Sequence, residues 1–316
     1  MRKALGGYLE LDLISRQQIH DSAIAVNTGR NGLRYILRTN RYRKVFLPYF
    51  TCDVVLNTIK EEGIEYEFYH IDTLLEPIFQ WEVLKSDEAF LYTNYFGLKD
   101  GFISKLVNVI ENCIIDNAQA FYAQAIKGVD SFYSPRKFLG VPDGGYVYCK
   151  EYLDIDKVDV SYNRVSHLLK RLEIDAEEGY TDFTENEELL ARLPLEKMSV
   201  LTCSLIKNAD HEYIKEKRRA NYRYLYEYFK EINKICLPLE ESIVPLVFPL
   251  WIDKDIRGVL HKNRCYTATY WPNVLEWTDE YSLEEKLVKE VVYLPIDQRI
   301  CFEDLNEIIN IIKNIK

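Results

Sequence analysis

Apolar and polar positions follow two rhythms in the first half of the chain. Residues 44–48, 64–71, 88–95, 113–116, 130–133 and 145–150 are short runs that read as strands, the run at 113–116 as a buried strand ending in an acid. Between them, 32–37 (continuing toward Arg41), 51–62 and 103–111 carry apolar residues at helical spacing, and Gly63 is placed to cap the second of these helices. This alternation predicts an α/β fold, a mostly parallel central sheet with helices on both faces. The second half changes character. Residues 162–172 and 185–205 are polar and helical in pattern, 210–235 is a long charged helix, 244–252 a strand, 255–263 a helix and 305–316 a terminal amphipathic helix. The reading is an N-terminal arm and large domain over 1–150 and a smaller C-terminal α+β domain over 151–316.

Composition narrows the class. The 316 residues are 47% hydrophobic, ample for a large core, and the net charge of -10 argues against a general nucleic-acid binder. There is no apolar run long enough for a transmembrane helix and no secretory leader at the N-terminus, so a cytoplasmic protein is expected. The seven cysteines are scattered without a CxxC pair, which fits buried free thiols better than disulfides or zinc. The histidines His70, His167, His211 and His261 have no metal-ligand spacing, and no metal is expected.

Three segments fall where ligands gather in open α/β sheets, beyond the carboxyl ends of the strands. Thr28-Gly29-Arg30-Asn31-Gly32 precedes a helix, where unpaired amides can hold a phosphate or where a plain turn and cap would suffice. Asp116-Asn117-Ala118-Gln119-Ala120 follows a buried strand. Its Asp either caps the next helix or pairs with a cationic ring nitrogen. Ser131-Phe132-Tyr133-Ser134-Pro135-Arg136-Lys137 leads to Asp143-Gly144-Gly145. Its lysine is either a solvated loop residue or, if desolvated, an amine with a lowered pKa that can react with a carbonyl.

Taken in this order, the three segments resemble the DegT/StrS family of sugar aminotransferases, of the aspartate-aminotransferase fold type I. Asp116-Asn117-Ala118-Gln119 is similar to the family's Asp followed by Ala-Gln, and Pro135-Arg136-Lys137 with Asp143-Gly144-Gly145 to its Pro-x-Lys and Gly-Gly turn. Gly6-Gly7-Tyr8, the Pro-x-x-Thr segment ending at Thr51, Tyr95-Phe96-Gly97, Arg218-Arg219-Ala220-Asn221-Tyr222 and Tyr293-Leu294-Pro295 add to it. The resemblance implies pyridoxal 5'-phosphate as cofactor. It implies that Lys137 holds the cofactor covalently and shuttles a proton, with Asp116 on the pyridine nitrogen and Gln119 near the phenolic oxygen. Thr28, Gly29 and Arg30 would hold the phosphate, with Ser131 or Ser134 adding a hydroxyl.

The chain also departs from the family. Gly32 replaces a small Ala, and Cys52 stands where an aromatic residue often stacks on the ring, leaving Phe50 or Tyr95 as substitutes. The position of the family's phosphate serine is Phe132. The resemblance implies transamination of a nucleotide-linked keto-sugar with an amino-acid donor such as glutamate, for amino sugars of polysaccharides, by a homodimer whose site lies at the interface. A dehydratase or lyase on the same fold is one alternative, although such dehydratases can replace the lysine by histidine. A non-catalytic member that binds the cofactor or a protein partner is another. The arm at 5–13, with Leu5, Tyr8, Leu9 and Leu11, would either serve the dimer or add an edge strand to its own sheet.

Overall fold

A computed structural model describes residues 5–16, 18–81 and 84–315. Its centre is an eight-stranded sheet in the order β1-β8-β7-β6-β5-β2-β3-β4. The strands are β1 (Ile24–Val26), β2 (Lys44–Pro48), β3 (Glu65–Ile71), β4 (Pro77–Ile78), β5 (Glu88–Thr93), β6 (Cys113–Asn117), β7 (Asp130–Tyr133) and β8 (Gly145–Tyr148). Pairing is parallel from β7 through β6, β5 and β2 to β3, and antiparallel at β7–β8, β8–β1 and β3–β4.

Strict alternation along the central strands builds two cores. Val45, Leu47, Leu91, Ile114, Phe132 and Val147 face α1 (Gly29–Asn40) and α2 (Asp53–Glu61). Phe46, Phe90, Tyr92, Ile115 and Tyr133 face the other way, toward α3 (Asp100–Leu106) and the C-terminal half. Because both faces are covered, β5 and β6 are buried at every position.

The chain continues through α4 (Ser166–Glu173), α5 (Tyr180–Ala191), α6 (Val200–Asn208) and α7 (His211–Phe229). Then come β9 (Val247–Leu250), α8 (Arg257–Lys262), α9 (Leu283–Lys289), β10 (Val292–Pro295) and α10 (Phe302–Lys313). β9 and β10 pair antiparallel in a separate two-stranded sheet. Every strand of the large sheet therefore precedes residue 150, while one apolar core runs from Phe46 and Phe90 through Phe248 to Leu305. No helix among the described residues is long and apolar enough to cross a membrane.

Two expectations need correction. Residues 185–205 are not one helix: α5 ends at Ala191 and α6 begins at Val200, capped by the Ser199 side chain. The N-terminal arm adds no edge strand, since residues 5–16 lie outside every strand and Tyr8 and Leu9 are 98% and 94% exposed.

Candidate active site

The carboxyl ends of β2, β5, β6 and β7 lie along one edge of the sheet, so the turns after them meet there. The N-terminus of α1 arrives at the same edge. Thr28 is its N-cap, with Oγ1 accepting from the Asn31 N–H at 3.0 Å, while the first helical amides, Gly29 and Arg30, have no acceptor within the helix. Two contacts fix this cradle. A Cβ at Gly29 would come within 3.3 Å of Ser134 Cβ, so Ser134 stands beside the helix terminus. A Cβ at Gly145 would fall 2.5 Å from the Thr28 carbonyl oxygen, so only glycine lets the Gly-Gly turn approach α1 this closely.

Asp116 projects from β6 on the α1 side, in register with Phe132, and is 6% exposed. Its Oδ1 accepts from the Ala118 N–H at 2.8 Å, and no salt bridge to it occurs among the described residues. Burial pushes its carboxyl above the ordinary range, and the Lys137 charge pulls it back. Lys137 ends a short turn of 3-10 helix, Pro135–Lys137, with an exposed side chain. In this chain Lys137 is therefore the solvated loop residue of the two sequence readings. Burial also pushes the Cys52 thiol up to about 12, with Lys137 again the largest opposing influence. Cys52, Asp116 and Lys137 thus share one electrostatic neighbourhood.

Gln119 is 1% exposed. Its Oε1 accepts from the Phe96 N–H at 2.9 Å, and its Nε2 is buried without a partner. The Arg30 guanidinium reaches outward to the Leu190 carbonyl at 3.4 Å, which leaves its backbone amide as the group facing the cradle. Ser131 is not brought to this edge. It faces Ile115 and Asn117, on the opposite side of β7 from Phe132, over which Gly32 of α1 packs.

Supporting residues were not evident from sequence. Asp143, fully buried, accepts from Thr202 Oγ1 and from Arg164 Nε and Nη2, the latter at 3.0 and 2.6 Å, and Arg164 also bridges to Asp159. This network anchors the turn that follows Lys137. The place of Asp143 directly before Gly144-Gly145 was the available signal. Asn186 donates to the Pro142 carbonyl and Arg136 pairs with Glu187, so α5 braces the same loop.

The residues present fit pyridoxal phosphate. A buried carboxylate lacks a cation, an orphaned amide donor lies nearby, and a helix terminus with an adjacent hydroxyl forms an anion cradle. No group of three metal-binding side chains occurs among the described residues.

No family model and no curated protein matches the chain. Solved structures do. A DegT DnrJ EryC1 StrS aminotransferase from Brucella abortus is 16% identical with a TM-score of 0.65, over 92% of this chain and 85% of that one. DesV of S. venezuelae, solved with a ketimine intermediate, is 15% identical at 0.62, over 92% and 84%. Spr1654 of Streptococcus pneumoniae, a putative sugar aminotransferase in its PMP form, is 13% identical at 0.64, over 92% and 86%. The chain has the fold of these aminotransferases, the pyridoxal-phosphate-dependent fold type I.

Proposed function

We propose that the protein is a pyridoxal-phosphate-dependent aminotransferase that transfers an amino group from an amino acid, glutamate being the expected donor, to a nucleotide-linked keto-sugar. The observation that carries the reading is Asp116, a buried carboxylate without a salt bridge whose ionisation Lys137 favours. When bound, the cofactor supplies an electron sink for the carbon that loses its proton. Lys137 Nζ would anchor the cofactor and carry the proton that leaves the substrate carbon over to the cofactor. The Asp116 carboxylate would hold the proton on the pyridine nitrogen through a charge-assisted hydrogen bond. Gln119 Nε2, buried without a partner, would donate to the phenolic oxygen. The amides of Gly29 and Arg30, with the Ser134 hydroxyl and Thr28 as cap, would bind the phosphate.

The sugar substrate rests on the company the fold keeps, which includes PseC of Helicobacter pylori, described as involved in the biosynthesis of pseudoaminic acid. The enzyme would act in the cytoplasm as a homodimer. Incubation with pyridoxal phosphate, borohydride reduction and peptide mapping should place the cofactor on Lys137. A panel of nucleotide keto-sugars with glutamate should then give turnover. Labelling of another lysine, or turnover of ordinary keto acids alone, would overturn the reading.

A further inference from the structure

Lys137 presents an exposed side chain on a backbone that its neighbours hold fast. Phe138, the next residue, is 2% exposed, and its N–H and that of Leu139 both donate to the Pro135 carbonyl at 2.9 Å. Two side chains of the C-terminal half grip it. Gln298 Nε2 donates to the Phe138 carbonyl at 3.0 Å, and the Arg218 guanidinium carbon lies 4.6 Å from the centre of the Phe138 ring. One face of α7 organises both contacts. Arg218 and Asn221 are three residues apart on it. Asn221 Nδ2 donates to the carbonyls of Ile296 and Ile300, at 3.2 and 3.0 Å, and so fixes the turn that carries Gln298.

Neither gripping side chain is one that stability alone would select. Arg218 is 2% exposed and forms no salt bridge among the described residues. Its Nη1 donates to the carbonyls of Pro245 and Leu246, its Nε has no partner, and Asp297, the acid that acts on it most, is bonded through both oxygens to Arg299. Burial lowers its pKa from 12.5 to about 10, with Asp297 opposing. A guanidinium so placed costs desolvation that an apolar side chain of similar size would not. Gln298 bonds Phe138 through Nε2 and leaves Oε1 buried without a partner. Turning the amide over would only set Oε1 against the Phe138 carbonyl, acceptor against acceptor. Both unfavourable placements converge on the residue that follows Lys137.

We propose that Gln298 and Arg218 are positioning residues for Lys137, holding Phe138 by its carbonyl and its ring so that the amine leaves the sheet edge in one direction. The inference rests on Lys137 as the cofactor's lysine. Gln298→Met removes the carbonyl bond, and Phe138→Leu takes the ring from the guanidinium while Arg218 keeps its bonds to Pro245 and Leu246. Ile309→Val, in the core under α10, is the control for lost stability. In the cofactor-free chain, amide hydrogen exchange at Phe138 and Leu139 should quicken at least tenfold in both variants and not in the control. With pyridoxal phosphate added, the visible absorbance of the lysine adduct should grow at least tenfold more slowly in both, since misplacing a reacting group by about 1 Å can cost about 100-fold. The control should match the unaltered protein. If Phe138→Leu fails to fold, Gln298→Met, at a half-buried position, carries the test alone. No borohydride-trapped adduct on Lys137 of the unaltered protein would remove the reading beneath the inference. An adduct there that forms as fast in Gln298→Met and Phe138→Leu, or is slowed as much by Ile309→Val, overturns the inference while that reading stands.

Discussion

A carboxylate as buried as Asp116, with a single backbone amide bonded to it, is poorly stabilised as an anion until a cation arrives. Asp116→Asn should therefore leave the unfolding midpoint of the cofactor-free protein unchanged or higher. It should cut turnover by about 10–100-fold, the range of a hydrogen bond to a charged group worth roughly 1.5–3 kcal/mol. Calorimetry and steady-state rates on the same preparations check both halves. The placement of Asp116 and Lys137 at the carboxyl ends of β6 and β7 was legible in the sequence because each sits in a short local motif whose spacing the strand and turn preserve. Which of Ser131 and Ser134 stands beside α1 was not, because it depends on which face of β7 a residue takes, and that is set by pairing with β6 and by packing under α1. The role of His20 was equally hidden. Its Nε2 lies 2.7 Å from the Phe121 carbonyl and so carries the proton, leaving Nδ1 to accept from Tyr148 Oη at 3.0 Å. Burial lowers its pKa from 6.5 to about 4, with the Phe121 bond opposing. A folded pKa below the unfolded one gives stability that is complete above 6.5 and lost as pH falls from there toward 4, by at most about 3 kcal/mol. His20→Gln should flatten the dependence of the unfolding midpoint on pH across that window, and an unchanged slope would contradict this account.

Among elements, α1 governs the site, and its closeness to the sheet explains a departure from the family pattern. A Cβ at Gly32 would meet Phe132 Cβ at 3.0 Å and Val147 Cγ2 at 3.2 Å. Gly32→Ala gains up to about 1 kcal/mol of helix propensity but overpacks this contact, at a cost of about 1–3 kcal/mol. The expected net change is a modest destabilisation with weakened cofactor affinity, because α1 must lift at its N-terminal end. Gly145→Ala, aimed at backbone rather than side chain, should be worse on both counts. Chemical denaturation and cofactor titration of the two variants give the order. Strand β2 could be read to the residue from its apolar run, since a buried parallel sheet leaves little choice of register. The break at 192–199 could not, because helical polarity continues across it. What ends α5 there is tertiary. The Pro194 carbonyl accepts from Asn27 Nδ2 and Asn31 Nδ2, and the Asn27 N–H donates to the Glu196 carbonyl, so this segment is spent on holding the N-terminus of α1. Pro194 itself was the one local sign. Helix α9 and strand β10 went unread for a related reason: each is short, and it is packing against the turn at Pro272–Glu276 and pairing with β9 that fix them.

For the whole molecule, the question is what covers the apolar surface that the fold leaves outside. On the arm, Leu5, Tyr8, Leu9 and Leu11 are 67–98% exposed, and between residue 162 and α5, Tyr162, Leu172 and Tyr180 are also largely open. Monomers seldom display apolar area on this scale. The arm is not adrift, however. The Ile14 N–H donates to Asn208 Oδ1, the Arg16 N–H to the Lys207 carbonyl, and Arg16 pairs with Asp210, so its root is fixed at the end of α6 while its tip projects away. An arm anchored at the root and apolar at the tip is suited to lie on a second copy, and such a copy would also supply the desolvation that Lys137 lacks in the single chain. Stable interfaces bury roughly 1,200–2,000 Å², which an arm and one helical face exchanged by symmetry can reach. Light scattering should give twice the chain mass at micromolar concentration. Removal of residues 1–13, which lie before the anchoring bonds, should leave a folded chain that dissociates at a concentration at least tenfold higher and turns over more slowly in proportion to the monomer formed. A full-length monomer that is loaded with cofactor and active would refute both the assembly and the shared site.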